Sequence, residues 1–207
     1  MSTVKIKYFE YGRTELNYLA SIDPVLGAAI RRLGRVERQV IPDIFAALVY
    51  TIIGQLVSVR SANTVWSRMQ DTFGDITPEN LSIYTADHIQ ACGMTMKKAI
   101  CIHDITENIV QGQFDLSILN TLSDSEVIKQ LISLPGIGRW TAEMILLNCM
   151  ERPNVVSWGD LAIRRGMKRL YGLQELTKQQ FDEYRKLYSP YGSVASIYLW
   201  RLSFGHN

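Results

Sequence analysis

The chain has 207 residues, of which 47% are apolar and 20% charged. That is enough for one hydrophobic core or two closely packed lobes, and it excludes a disordered chain. Its 22 Lys plus Arg against 20 Asp plus Glu leave a net charge of only +2, so binding a polyanion requires cations concentrated locally.

The opening MSTVKIKYFEYGR alternates charged and apolar residues without the apolar core of a secretion signal, so none is expected. Val4 to Phe9 carries the one strand signal, a weak one. Helical signals dominate from Thr14. Asp23-Pro24 reads as a cap plus a first-turn proline opening a helix through Leu33, stopped by Gly34. Pro42-Asp43 opens the apolar IFAALVYTII, which Gly54 interrupts, and Ser58 caps a helix that Gly74 ends. The apolar run Ile44 to Val59, broken by Gly54, Gln55 and Ser58, is too short to span a bilayer, so no membrane association is expected.

Shorter helices are expected after Thr77-Pro78 and from Thr85 to Gly93, then a longer one from Thr95 to Val110 before Gly112. Asp124-Ser125-Glu126 starts VIKQLISL, closed by Pro135-Gly136. Thr141 to Met150, Leu161 to Leu170, Lys178 to Leu187 and Ser193 to Leu202 follow. The fold class is therefore all-α, with roughly ten short helices and no tandem repeat.

Cys92, Cys101 and Cys149 cannot pair evenly and lack C-x-x-C spacing, which reads as reduced thiols in a cytoplasmic protein. His88, His103 and His206 are scattered without ligand spacing, so no metal and no cofactor are expected.

The most informative string is Leu134-Pro135-Gly136-Ile137-Gly138-Arg139-Trp140-Thr141-Ala142, between two helices. Gly136 and Gly138 let the chain turn tightly while Ile137 anchors the turn in the core. Bare backbone N–H groups at the start of the next helix, with Arg139 and Thr141 beside them, suit a phosphate. A bare G-x-G would read as an ordinary helix break. The whole string between helices reads as a DNA-backbone contact.

That string resembles the hairpin of the helix-hairpin-helix DNA glycosylases. Such a hairpin also occurs in purely structural DNA-binding proteins, so a non-catalytic binding module stands as the rival reading. The discriminating feature is Val155-Val156-Ser157-Trp158-Gly159-Asp160, with Asp160 placed 22 residues after Gly138. It resembles the segment and aspartate that follow the hairpin in that superfamily, and the resemblance implies that Asp160 is catalytic. Alone, Asp160 would read as a helix cap. A carboxylate at a helix start suits base excision, because breaking a glycosidic bond builds positive charge on the deoxyribose.

Members that also nick the strand carry a lysine where this chain has Trp140, which holds no nucleophile. The resemblance therefore implies the monofunctional branch, in which water attacks the sugar. No cysteine follows Cys149 in this sequence, so the iron–sulfur loop of the endonuclease III branch is not expected.

Ile53-Gly54-Gln55-Leu56-Val57-Ser58-Val59 resembles a stretch of the 3-methyladenine DNA glycosylase II family. There the leucine, here Leu56, wedges into the gap left by a flipped nucleotide, and Gln55 faces the DNA. Leu56 has an ordinary alternative as a core residue. Ser189 to Arg201 resembles that family's last helix, implying that Trp200 lines the base pocket with Trp140, Gln55 and Met144. Met144 stands where an aromatic is usual, and Gly159 stands where several relatives have a second acid.

The layout implied is two-lobed: a short segment 1–13, a terminal lobe of 14–43 with 153–207, and a central lobe of 44–152 carrying the hairpin. The cleft between them would hold the flipped base. The partner implied is double-stranded DNA containing damaged bases, bound by a monomer in the cytoplasm or on the nucleoid of a bacterium. Cationic alkylated purines such as 3-methyladenine and 7-methylguanine are the substrates expected, since a positive base stacks well on tryptophan and leaves readily. A glycosylase for deaminated or oxidised bases is the third reading. Lys97-Lys98 and Arg164-Arg165-Lys168-Arg169 are the better candidates for DNA-facing cations, with Arg31, Arg32, Arg35 and Arg38 facing either DNA or water. Glu143, on the helix after the hairpin, reads as either approaching the cleft or facing solvent, with solvent the expectation.

Overall fold

A computed structural model describes residues 7–205. It contains a two-stranded ladder of β1 (Lys7–Tyr8) and β2 (Gln39–Val40). The rest of its regular structure is helical: α1 (Arg13–Ile22), α2 (Pro24–Leu33), α3 (Ile44–Gly54), α4 (Val59–Phe73), α5 (Pro78–Leu81), α6 (Ala86–Gln90), α7 (Met96–Val110), α8 (Asp124–Ile132), α9 (Arg139–Asn148), α10 (Leu161–Leu170), α11 (Lys178–Tyr188) and α12 (Gly192–Ser203). The all-α expectation holds. Of the expected strand, Val4 to Ile6 lie outside the described residues, as does His206. Strand β2 and a 3₁₀ turn at Ser117–Thr121 carry no strong sequence signal, being too short to show a period.

The helix starts follow capping chemistry. Asp23 accepts from the N–H of Val25 and Leu26, Asp43 from Ala46, Ser58 from Ser61, and Thr95 from Lys98. At α8 the hydroxyl of Ser123 and the carboxylate of Glu126 cap reciprocally. Helix α9 starts two residues before the expected Thr141, because Gly138 is extended and already serves as its cap.

The described residues divide into two compact units, 41–150 with Lys7, and 8–40 with 151–205. In the first, α3 is buried along most of its length, through Phe45, Leu48, Val49, Ile52 and Ile53, and packs on α4, α7 and α9. Helix α8 covers another side of α9. In the second unit, α10 and α12 form the tightest pair. A Cβ on Gly166 would sit 1.9 Å from the carbonyl oxygen of Leu199, so only glycine lets these backbones meet. Around them, the buried carboxylate of Asp23 accepts the hydroxyl of Tyr171, which in turn lies 2.6 Å from that of Tyr188. Among the described residues, no helix is long and apolar enough to cross a membrane.

Candidate active site and nucleic-acid interface

In the first unit the hairpin between α8 and α9 is built on two glycines with different demands. Gly136 has φ +70°, and a Cβ there would meet the Cys101 sulfur at 2.5 Å. The Cys101 thiol donates to the carbonyl of Pro135 at 3.0 Å, so it supports the turn from beneath. Burial pushes that thiol up to about 11, which keeps it a neutral donor. Gly138 has φ −94° and ψ 173°, and a Cβ there would meet nothing within 4 Å. Ile137 is buried between them, while Gly136, Gly138 and Arg139 are exposed. The cap residue Gly138 offers no side-chain acceptor, so the positive end of the α9 dipole faces outward beside an arginine.

Gln55 ties the break after α3 to this hairpin, and Lys98 holds the break itself. Gln55 donates through Nε2 to the carbonyl of Gly136 at 3.3 Å and to Thr141 Oγ1 at 3.1 Å. Lys98, on α7, donates through Nζ to the carbonyls of Ile53 at 2.8 Å and Gln55 at 2.7 Å. These are the open carbonyls that a helix end leaves behind, and an ammonium satisfies two of them. Burial pushes the Lys98 ammonium below the usual lysine range. Lys98 is therefore turned inward, which corrects the expectation that it faces DNA. Beyond this clamp Leu56 adopts φ +56° and is fully exposed (103%), flanked by the exposed Val57 and Val59. The core alternative for Leu56 is thereby removed. A branched side chain held in the left-handed region and offered to water is a costly arrangement for packing alone.

Glu143 is corrected as well: it is buried at 6% exposure and accepts from Arg139 Nε at 2.9 Å. One turn along α9, this pair fixes the direction of the arginine. Trp140 is half-buried, and Met144 is buried, its sulfur accepting from Asn148 at 3.7 Å.

In the second unit Asp160 caps α10. It is buried, and its Oδ1 accepts from the N–H groups of Ala162 and Ile163, each at 2.9 Å. The helix N-terminus favours negative charge at that point. The segment leading to it is pinned to α12. Ser193 Oγ donates to the carbonyl of Arg152 and accepts from Val155 N–H at 2.9 Å, and Ser196 Oγ donates to the carbonyl of Val155 at 2.7 Å. A Cβ on Gly192 would lie 2.7 Å from Asn154 Oδ1. The small residues of Gly192-Ser193-Val194-Ala195-Ser196 thus hold the segment that leads to Asp160 against α12, a role that sequence reasoning missed.

Trp200 is buried at 8% exposure, and the Arg38 guanidinium covers one face of it, 4.0 Å from the ring centroid. Arg35 sits over the Tyr11 ring at 4.6 Å and donates to that residue's carbonyl at 2.7 Å. Two of the four arginines near the end of α2 therefore stack on aromatic rings of their own unit. Among the described residues no group of His, Cys, Asp and Glu could hold a metal ion.

Residues 49–190 match the family described as HhH-GPD superfamily base excision DNA repair protein. The chain is 28% identical over 164 residues to DNA-3-methyladenine glycosylase 1 of Schizosaccharomyces pombe, covering 77% of this chain and 72% of that protein. Across three curated relatives it spans 58% to 72% of their length. A crystal structure of a DNA-3-methyladenine glycosidase from Bacillus halodurans superposes with a TM-score of 0.78 at 30% identity, over 96% of this chain and 93% of that one. The fold is also that of the S. pombe enzyme Mag1 in complex with abasic DNA, with a TM-score of 0.83 at 24% identity, over 91% of this chain and 95% of that one.

Proposed function

We propose, since this chain belongs to the HhH-GPD superfamily of base excision DNA repair proteins, that it is a monofunctional DNA glycosylase that hydrolytically removes alkylated purines and leaves an abasic site. The observation that carries the reading is Asp160, a carboxylate buried at the start of α10 and held by two backbone N–H groups within the family-matched stretch. Relatives named as 3-methyladenine glycosylases support the substrate class.

The chemistry assigned to each residue follows from its setting. The hairpin binds a DNA phosphate through the outward N-terminus of α9 and Arg139, without reading sequence. Leu56 fills the gap in the stack left by the extruded nucleotide, and Gln55 joins that wedge to the hairpin. Trp140, half-buried at the start of α9, offers an aromatic ring on which the extruded base stacks. As the glycosidic bond breaks, its electron pair leaves with the base. A purine methylated at N3 or N7 is already cationic and departs neutral, so no general acid is required. Asp160 stabilises the positive charge that develops on the sugar. Water then adds to C1′ and gives up a proton. Trp140 supplies no amine to compete with that water. The protein acts as a monomer on double-stranded DNA containing damaged bases, in the cytoplasm or on a bacterial nucleoid.

The test is incubation with DNA treated with a methylating agent, followed by mass spectrometry of the free bases. Release of 3-methyladenine or 7-methylguanine is expected. Release of only deaminated or oxidised bases would move the specificity elsewhere, and release of none would leave a binding module.

A further inference from the structure

Helix α10 continues beyond Asp160 with a feature that the excision chemistry does not use. Its inner face, Ile163, Gly166 and Met167, is buried. Its outer face carries Arg164, Arg165, Lys168 and Arg169, within an arc of about 140° at 100° per residue. These four cations and Leu161, Gly172, Leu173, Gln174 and Leu176 line a cavity of about 650 Å³ that contains no acidic side chain. In a chain with a net charge of +2, four of the 22 cations thus face one space.

Their internal commitments differ. Arg169 caps α12 through the carbonyls of Leu202 and Ser203. Arg164 lies over Trp158 at 4.6 Å, and its buried Nε has no hydrogen-bond partner among the described residues. Arg165 is exposed and Lys168 half-buried. The pairs Arg164–Lys168 and Arg165–Arg169 are like charges at i,i+4, which destabilise a helix by about 0.2–0.5 kcal/mol each. Such an array favours an external anion. Successive cations one turn apart are separated by about 6 Å along the axis, which suits neighbouring phosphates of one strand better than a single small anion.

We infer that the Arg164–Arg165–Lys168 face of α10 is a second binding surface for DNA phosphates, distinct from the hairpin. It rests on the reading of the chain as a DNA glycosylase. The surface adds sequence-independent affinity and carries no part of the chemistry.

The test is the salt dependence of binding to an undamaged duplex between about 50 and 200 mM NaCl, a range over which phosphate contacts dominate the change in affinity. The variants are Arg165→Gln with Lys168→Gln, and a control pair of exposed α11 cations, Arg185→Gln with Lys186→Gln. The α10 pair should flatten the slope of log K against log salt by about 1 to 2, at roughly 0.9 per lost phosphate contact. The control pair should leave the slope unchanged. Single-turnover excision at saturating enzyme should match wild type. An unchanged slope in the α10 pair overturns the inference and points to another anion, such as an acidic protein segment. An equal change in the control pair reduces the effect to net charge and also overturns it. If wild type excises alkylated bases, either result leaves the glycosylase reading intact. If wild type neither binds nor excises, both fall.

Discussion

Two glycines of the hairpin, two residues apart, should respond to substitution in opposite ways. At Gly136 an alanine would have to hold φ +70° and place its Cβ 2.5 Å from the Cys101 sulfur. The backbone term costs about 1 kcal/mol and the overpacking about 1–3 kcal/mol. For a chain of this length the sum lowers Tm by roughly 5–15 °C. At Gly138 the backbone is extended and the Cβ position is empty, so Gly138→Val should change stability by less than about 1 kcal/mol. It should nevertheless weaken binding to every duplex by a similar factor, because the added methyl groups stand where a phosphate would approach the α9 amides. Thermal melts and fluorescence anisotropy with two unrelated duplexes separate the effects. A Cys101→Ala change in the Gly136→Ala background should recover part of the lost Tm, since the sulfur clash goes while the φ penalty stays. A folded Gly138→Val protein that binds like wild type would remove the hairpin from the DNA interface. A Gly136→Ala protein with an unaltered melt would refute the packing argument.

Lys98→Met should slow excision by disordering the break that presents Leu56. If it acts through the wedge, its effect should largely vanish in a Leu56→Ala background, whereas additive losses would assign Lys98 to stability alone. Borohydride should trap no covalent protein–DNA adduct during turnover, and the strand should break only after alkali. An efficiently trapped complex would overturn the monofunctional assignment to Trp140.

Much of this architecture was legible in the sequence because capping is local. Asp23, Asp43, Ser58 and Asp160 each announce a helix start through residues two or three positions away. The hairpin was legible for the same reason. What escaped depends on contacts distant in sequence. Lys98 reads as a surface cation until α7 brings it to the end of α3, 43 residues away at Gln55. Glu143 reads as an exposed acid on the helix after the hairpin, yet α9 is covered by both α3 and α8 and Arg139 supplies its counter-charge. Arg38 and Trp200 lie at opposite ends of the chain, so no local pattern could pair them. Nor could any reveal that Ser193 and Ser196 hold the segment before Asp160.

Base excision is assigned to Asp160, and Asp160→Asn puts that assignment to the test. Asparagine is nearly isosteric and a good helix cap, so the carbonyl can still accept from Ala162 and Ile163 and the melt should hardly move. What is lost is the negative charge. Single-turnover release of 3-methyladenine from methylated DNA should fall on the order of 100- to 1,000-fold, with duplex affinity retained. A folded Asp160→Asn protein that releases the base at close to the wild-type rate would contradict the account.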